Sequence, residues 1–248
     1  MSTDLTIVMT LCNRPHYTKR VLDMLARCDG CSDVPVTLCV EPGNDAVLNL
    51  ALGFRHPCTV VQNKRKLGCN TNTFMALSMG FEKADRVIAL EDDTLPGRDF
   101  ITFMRWALDK YEDDKSVFSV SGYQRTQQHE ITRTLDVVRE NWFTPWGWGS
   151  WRDRWIECCD NWPALDEQIS WDTVIHKMRL GDRCEVRPVV ARIQNIGAEG
   201  GLHVPSREWH RDHHLNPYWI EVSEPVNAAS EFAECEPLEH QLRATYPC

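Results

Sequence analysis

The chain of 248 residues is 42% hydrophobic and 25% charged, enough to bury a core without staples and to form one α/β domain. Its formal charge of −9 excludes the basic surface that a nucleic-acid binder needs, and no stretch reaches the ~18 apolar residues of a membrane span. Eleven cysteines, an odd number with several inside or beside apolar runs (Cys39, Cys58), read as reduced thiols of a cytoplasmic protein rather than as a disulfide set.

Met1-Ser-Thr-Asp4 has no signal-peptide character. Leu5 to Leu11 predicts a first strand, ending in Cys12-Asn-Arg14-Pro15, and the stripe Val21, Leu22, Leu25, Cys28 predicts a helix from Tyr17. The lone CxxC, Cys28 to Cys31, ends that helix with no second pair nearby, so it reads as neither a zinc nor a redox motif. Val36 to Val40 predicts a second strand, closed by the turn Glu41-Pro-Gly-Asn44, and Ala46 to Leu52 a short helix. Thr59 to Val61 is a third strand, Asn63 to Gly68 a basic loop, and Thr73 to Phe81 a helix.

Val87 to Leu90 is an unbroken apolar run, as in a parallel strand buried on both faces, and it ends in Glu91, Asp92 and Asp93. Three adjacent carboxylates repel one another unless a cation sits among them. Open α/β sheets bind ligands at this end of their strands, and oxygen ligands suit Mg²⁺ or Mn²⁺ completed by substrate phosphates. Arg14, beyond the first strand's end, is placed to fork onto phosphate oxygens.

Phe100, Phe103, Met104, Ala107, Leu108 and Tyr111 mark the clearest helix, and Val117 to Val120 another strand. Residues 1–121 thus alternate strand and helix, the signature of a largely parallel sheet flanked by helices. Residues 122–220 hold most of the tryptophans with weaker periodicity, and 221–248 read as a surface tail, all within a single domain. Trp146-Gly-Trp148-Gly-Ser-Trp151 fits either a mobile loop that stacks on a sugar or tryptophans filling a core. Gly197 to His203 is a glycine-rich turn ending in histidine, whereas His210, His213 and His214 read as solvated surface residues.

The apolar strand, Glu91-Asp92-Asp93 and a helix opening Arg98-Asp-Phe100 together resemble the metal motif of GT-A-fold (Rossmann-like) glycosyltransferases, within them most closely the N-acetylglucosaminyltransferase I family. Trp146-Gly-Trp148 and Asn195-Ile-Gly197 are also similar to bacterial surface-polysaccharide glycosyltransferases. The resemblance implies a metal-dependent, inverting glycosyltransferase moving a sugar from a nucleotide-sugar donor, a UDP-sugar favoured, to a glycan hydroxyl. It implies that Asp93 holds Mn²⁺ or Mg²⁺ with His203 returning to it, that Asp92 meets the donor's ribose or a metal-bound water, and that Glu91 meets the donor sugar. Thr10, Arg14, Glu41, Gly68 and Asn63 (or Gln62) would line the donor, with Arg14 on its phosphates and Glu41 at its base. Trp171-Asp172, a dozen or so residues ahead of Val186-Arg-Pro188, resembles the family's base segment. That implies Asp172 as general base, with Trp171 and Trp148 on the acceptor side.

Two rivals share part of this pattern. A sugar-phosphate nucleotidyltransferase would carry glycines after the first strand, which Thr10-Leu-Cys-Asn-Arg-Pro15 lacks. A non-catalytic carbohydrate-binding protein would not need the acidic triplet or Asp172.

Overall fold

The computed structural model describes residues 3–125, 134–160, 162, 169–179, 183–200, 204–215 and 232–234. In its first half, β1 (Thr3–Leu11), β2 (Val36–Val40), β3 (Cys58–Gln62) and β4 (Ala84–Glu91) run parallel, β1 lying between β2 and β4. Every residue of β2 is buried, whereas β3, the sheet's edge, is partly exposed.

Helices α1 (Pro15–Leu25), α2 (Asp45–Leu52) and α3 (Gly68–Lys83) connect these strands. Pro15 opens α1, where its preset φ suits the helix and its missing N–H costs nothing. Asn44 caps α2, its side chain accepting from the N–H groups of Ala46 and Val47. Helix α3 crosses β1 and β4 at Gly80, where a Cβ would come within 2.8 Å of Val8 Cγ1. The strands are thereby covered on both faces. Ile7, Met9, Leu38 and Ile88 belong to one apolar cluster, and Val8, Cys39, Val87 and Ala89 to another with Ala76, Leu77 and Phe81 of α3.

Helix α3 begins five residues before the expected Thr73, because Asn70 and Asn72 disguise its first turns. Both are buried and spend their amides on tertiary hydrogen bonds, so their polarity does not mark a loop.

After β4 come β5 (Thr94–Pro96), α4 (Phe100–Lys110), β6 (Val117–Ser121), β7 (Asp136–Glu140) and β8 (Trp148–Trp151). Then follow α5 (Arg152–Cys159), α6 (Trp171–Arg179), β9 (Cys184–Pro188), β10 (Ile193–Asn195), α7 (Arg207–His213) and β11 (Ala233–Glu234). Among the described residues nine strands form one mixed sheet in the order β11-β7-β9-β6-β8-β4-β1-β2-β3, and β5 pairs with β10 beside it.

Of the two readings of Trp146 to Trp151, the packed one holds: β8 is inserted antiparallel between β4 and β6, with Trp148 opposite Ala89. Trp148 and Trp151 are buried on opposite faces, and the Trp151 indole N–H donates to the Leu108 carbonyl at 2.9 Å. Gly149 permits the insertion, since a Cβ there would lie 2.9 Å from both Met104 Cε and the Val87 carbonyl oxygen. The nine described cysteines are free thiols. Most of the expected tail lies outside the described residues. No helix among them is long and apolar enough to cross a membrane.

Candidate active site

The parallel register sets Thr10 opposite Glu91, so the loops after β1 and β4 leave the sheet side by side. The acidic triplet is a tight turn. Thr94 Oγ1 accepts from the Glu91 N–H at 2.9 Å and donates to the Glu91 carbonyl at 2.8 Å. Just past β10, the Ile196 N–H donates to the Asp93 carbonyl at 2.8 Å. Asp92 and Asp93 are buried, and Arg14 pairs with both, its Nη1 lying 2.8 Å from Asp93 Oδ2. Burial alone would weaken the guanidinium's hold on its proton, but the Asp93 and Asp92 carboxylates outweigh it and keep Arg14 charged.

One guanidinium does not balance three carboxylates. Burial, then the neighbouring Asp93 charge, push the Glu91 carboxyl well above its usual range, and burial raises Asp93 despite Arg14. Asp93 Oδ1 is buried with no hydrogen-bond partner. Gly197 packs against the same carboxylate, where any Cβ would overlap Asp93 Oδ2. An orphaned hard oxygen in an acidic, crowded turn fits a divalent cation. Among the described residues no group of three or more His, Cys, Asp or Glu side chains is placed to hold a metal ion alone. A cation here would therefore depend on donor phosphates for part of its shell.

The other expected donor residues converge on this edge. Burial and the charge of Asp92 raise the Cys12 thiol, with Lys66, Glu41 and Arg14 also acting on it, which places these groups around one loop cluster. Glu41, at the end of β2, is buried and accepts the Leu67 and Gly68 N–H groups at 3.0 Å. Its carboxylate thus anchors the start of α3, where Gly68 has φ +81°. Asn63 donates its side-chain N–H to Asn72 Oδ1 at 2.9 Å, while Gln62 is exposed.

Trp171 and Asp172 open α6. Asn70 of α3 holds that start: its Oδ1 accepts the Trp171 N–H at 3.0 Å and its Nδ2 donates to the Ile169 carbonyl at 2.8 Å. Trp171 stacks between Trp148 and Trp162, with ring centroids 6.0 and 5.6 Å away. Asp172 is half-buried, its Oδ1 accepts the Thr173 N–H, and its charge is among those raising Glu91. Thr10, Thr73, Glu91, Pro145, Trp148 and Trp171 line one small pocket, so donor-side and acceptor-side candidates share a wall.

Behind that wall lies a charge cluster of which the sequence offered only the Val-Arg-Pro pattern. Arg187 donates to Glu185 (2.9 Å), Glu140 (2.7 Å), the Trp142 carbonyl (2.6 Å) and Thr144 Oγ1 (2.7 Å). Glu185 in turn accepts from Ser119 Oγ at 2.7 Å and the Thr144 N–H at 3.0 Å.

His203 lies outside the described residues. The expectation of three solvated histidines needs correcting. His213 is exposed, but His210 is 2% exposed and bonds Asn195 Oδ1 at 2.9 Å, and His214 is half-buried against Trp146 and Trp209. Helix α7 spans seven residues and buries His210 alone, so no apolar periodicity shows this. Asn195, Gly197 and Asn70 also serve the site, and only Asn195-Ile-Gly197 left a sequence trace.

A family model described as the GNT-I family matches residues 74–220. An alpha-1,3-mannosyl-glycoprotein 2-beta-N-acetylglucosaminyltransferase of Arabidopsis thaliana is 29% identical over 120 residues, 48% of this chain and 26% of that protein. The chain thus spans about a quarter of that relative's length. S. aureus TarS 1-349 superposes with TM-score 0.59 at 12% identity, covering 77% of this chain and 60% of that one, and the same protein has been solved in complex with UDP. The mannosyltransferase PcManGT of Pyrobaculum calidifontis, in complex with GDP-Man and Mn²⁺, gives TM-score 0.53 at 16% identity, covering 76% of this chain and 55% of that one. At these identities the two structures show the fold, which is GT-A-like.

Proposed function

Because the chain belongs to the GNT-I family, we propose that it is a glycosyltransferase that moves a sugar from a UDP-sugar donor to a hydroxyl of a glycan, with inversion, and that it uses Mn²⁺ or Mg²⁺. The observation that carries this reading is the turn at Glu91–Asp93, where Arg14 leaves the carboxylates under-neutralised and Asp93 Oδ1 without a partner. When bound, the cation acts as a Lewis acid that stabilises charge on the departing diphosphate.

Arg14 binds the diphosphate oxygens, its guanidinium held charged by Asp93 and Asp92. Glu91, lining the pocket with Thr10, Trp148 and Trp171, meets the donor sugar. Asp172, next to Trp171 in the first turn of α6 and near enough for its charge to act on Glu91, accepts the proton of the attacking hydroxyl as the hydroxyl oxygen bonds to the anomeric carbon and the bond to the diphosphate breaks. The stacked rings of Trp148, Trp171 and Trp162 back this wall with apolar surface, which strengthens charge interactions beside it.

A thermal-shift panel of nucleotide sugars tests the donor. The largest rise in Tm should come from a UDP-sugar together with Mn²⁺, since a ligand of the native state stabilises it by mass action. No rise with any nucleotide sugar, or full transfer in excess EDTA, overturns the reading. For the base, Asp172→Asn should lower transfer by roughly 10²–10⁴ with donor affinity unchanged. In the first turn of α6, Asn would lose only a charge–dipole contribution of about 0.3–1 kcal/mol, so a merely structural Asp172 predicts a near-normal enzyme.

A further inference from the structure

We propose that His210 is a positioning residue for Asp93, acting through Asn195 and the turn at 195–197. The proposal rests on reading Asp93 as the metal carboxylate. His210 is the buried side chain of α7, and its Nε2 lies 2.9 Å from Asn195 Oδ1. The same Oδ1 accepts the Gly197 N–H at 3.0 Å. A backbone N–H can only donate, so the Asn195 atom that meets it is the oxygen, and the His210 nitrogen facing that oxygen must carry its proton. His210 therefore turns the Asn195 amide, and Asn195 pins Gly197.

What Gly197 is pinned against is Asp93. Its Cα packs on the carboxylate so closely that no Cβ fits, the neighbouring Ile196 N–H holds the Asp93 carbonyl, and Asn195 pairs with Thr94 across β10 and β5. The turn continues over the other side of the site: Glu199 N–H donates to the Tyr17 hydroxyl at 3.0 Å, and Arg14 lies over that tyrosine's ring. Asp93 Oδ2 is thus fixed between Arg14 and Gly197, which leaves Oδ1 as the free ligand oxygen. Metal-ligand side chains depend on such outer partners, and losing one typically costs 10–100-fold in metal affinity.

The test compares wild type, His210→Ala, His210→Gln and Asn195→Ala by calorimetric titration with Mn²⁺ in the presence of UDP. Hydrogen exchange at residues 193–198 and Tm are measured on the same preparations. His210→Ala and Asn195→Ala should each weaken Mn²⁺ binding roughly tenfold or more and speed exchange at 195–197. His210→Gln, whose amide can still donate to Asn195, should recover most of both even if its Tm falls. A residue that only packed α7 would lower Tm alike in both histidine variants and leave Mn²⁺ affinity unmoved, which overturns the proposal. So does faster exchange in His210→Gln equal to that in His210→Ala. Wild type that binds no Mn²⁺ with UDP would instead remove the metal reading, and the exchange arm would still decide whether His210 holds the turn.

Discussion

Glu185 and Arg187 are buried as deeply as Asp92 and Asp93, yet the two clusters are finished differently. Around Arg187, Glu140 and Glu185 share its charge, two backbone groups and two hydroxyls join in, and none of its side-chain nitrogens is left over. Around Arg14, three carboxylates crowd one guanidinium, Glu91 is pushed towards its neutral form and Asp93 Oδ1 is left unpartnered. The same residue types thus serve two ends. A satisfied network fixes architecture, here the 140–144 segment that leads into β8, whereas a deficient one stores a demand that a ligand meets.

The sharpest way to break this contrast is Asp93→Asn. A neutral amide is a poor ligand for a hard dication, so activity should fall by several kcal/mol of transition-state stabilisation, roughly 10³–10⁴ in rate. Removing one of three repelling carboxylates should leave Tm unchanged or raised, and turnover and calorimetry on one preparation check both. Arg187→Met should do the reverse. It strands Glu185 and Glu140, and breaking a buried pair costs about 3–5 kcal/mol of stability, read from the urea midpoint. If Asp93→Asn proved the more destabilising of the two, the distinction would fail.

Gly197→Ala should sit between them. Its Cβ must displace the Asp93 carboxylate, so overpacking of about 1–3 kcal/mol should come with weaker Mn²⁺ binding, an effect on stability and site together. The smallest effect is at His214. Burial, with the charges of His210, His213 and Arg125 around it, lowers its pKa from 6.5 to about 4. The unfolded chain then takes up the proton first, so this stability is full above 6.5 and is lost as pH falls towards about 4. His210, lowered chiefly by burial, acts in the same direction. Tm measured over that range should fall less steeply in His214→Gln.

The parallel half was legible because its central strands are buried on both faces and read as nearly continuous apolar runs, as from Val36 to Val40 and Val87 to Leu90. Asp92 and Asp93 were legible as a charge problem at a strand end, and the structure pairs both with Arg14. The Glu41 carboxylate accepts backbone N–H groups of the α3 start, an engagement that no sequence pattern announces. β8 was ambiguous because a short run of Trp and Gly has no single period. Its strand character comes from β4 and β6 on either side, a tertiary effect. His210 hid because one buried histidine on a seven-residue helix looks like any surface histidine.

The antiparallel insertion of β8 also bears on the order in which the molecule assembles. β4 pairs with β1 on one side and β8 on the other, and β8 is synthesised only after β5, α4, β6 and β7. Until it arrives, the strand that carries the acidic triplet is an open edge, a row of unpaired N–H and C=O groups able to recruit another chain. β6 waits likewise, since both its neighbours, β8 and β9, follow it in the sequence. Closing the sheet is therefore a non-local step and a slow one. A chain truncated near residue 121 should aggregate rather than fold, and the β4–β8 pairing should become protected from exchange before the β6–β9 and β7–β9 pairings, which wait for residues 184–188.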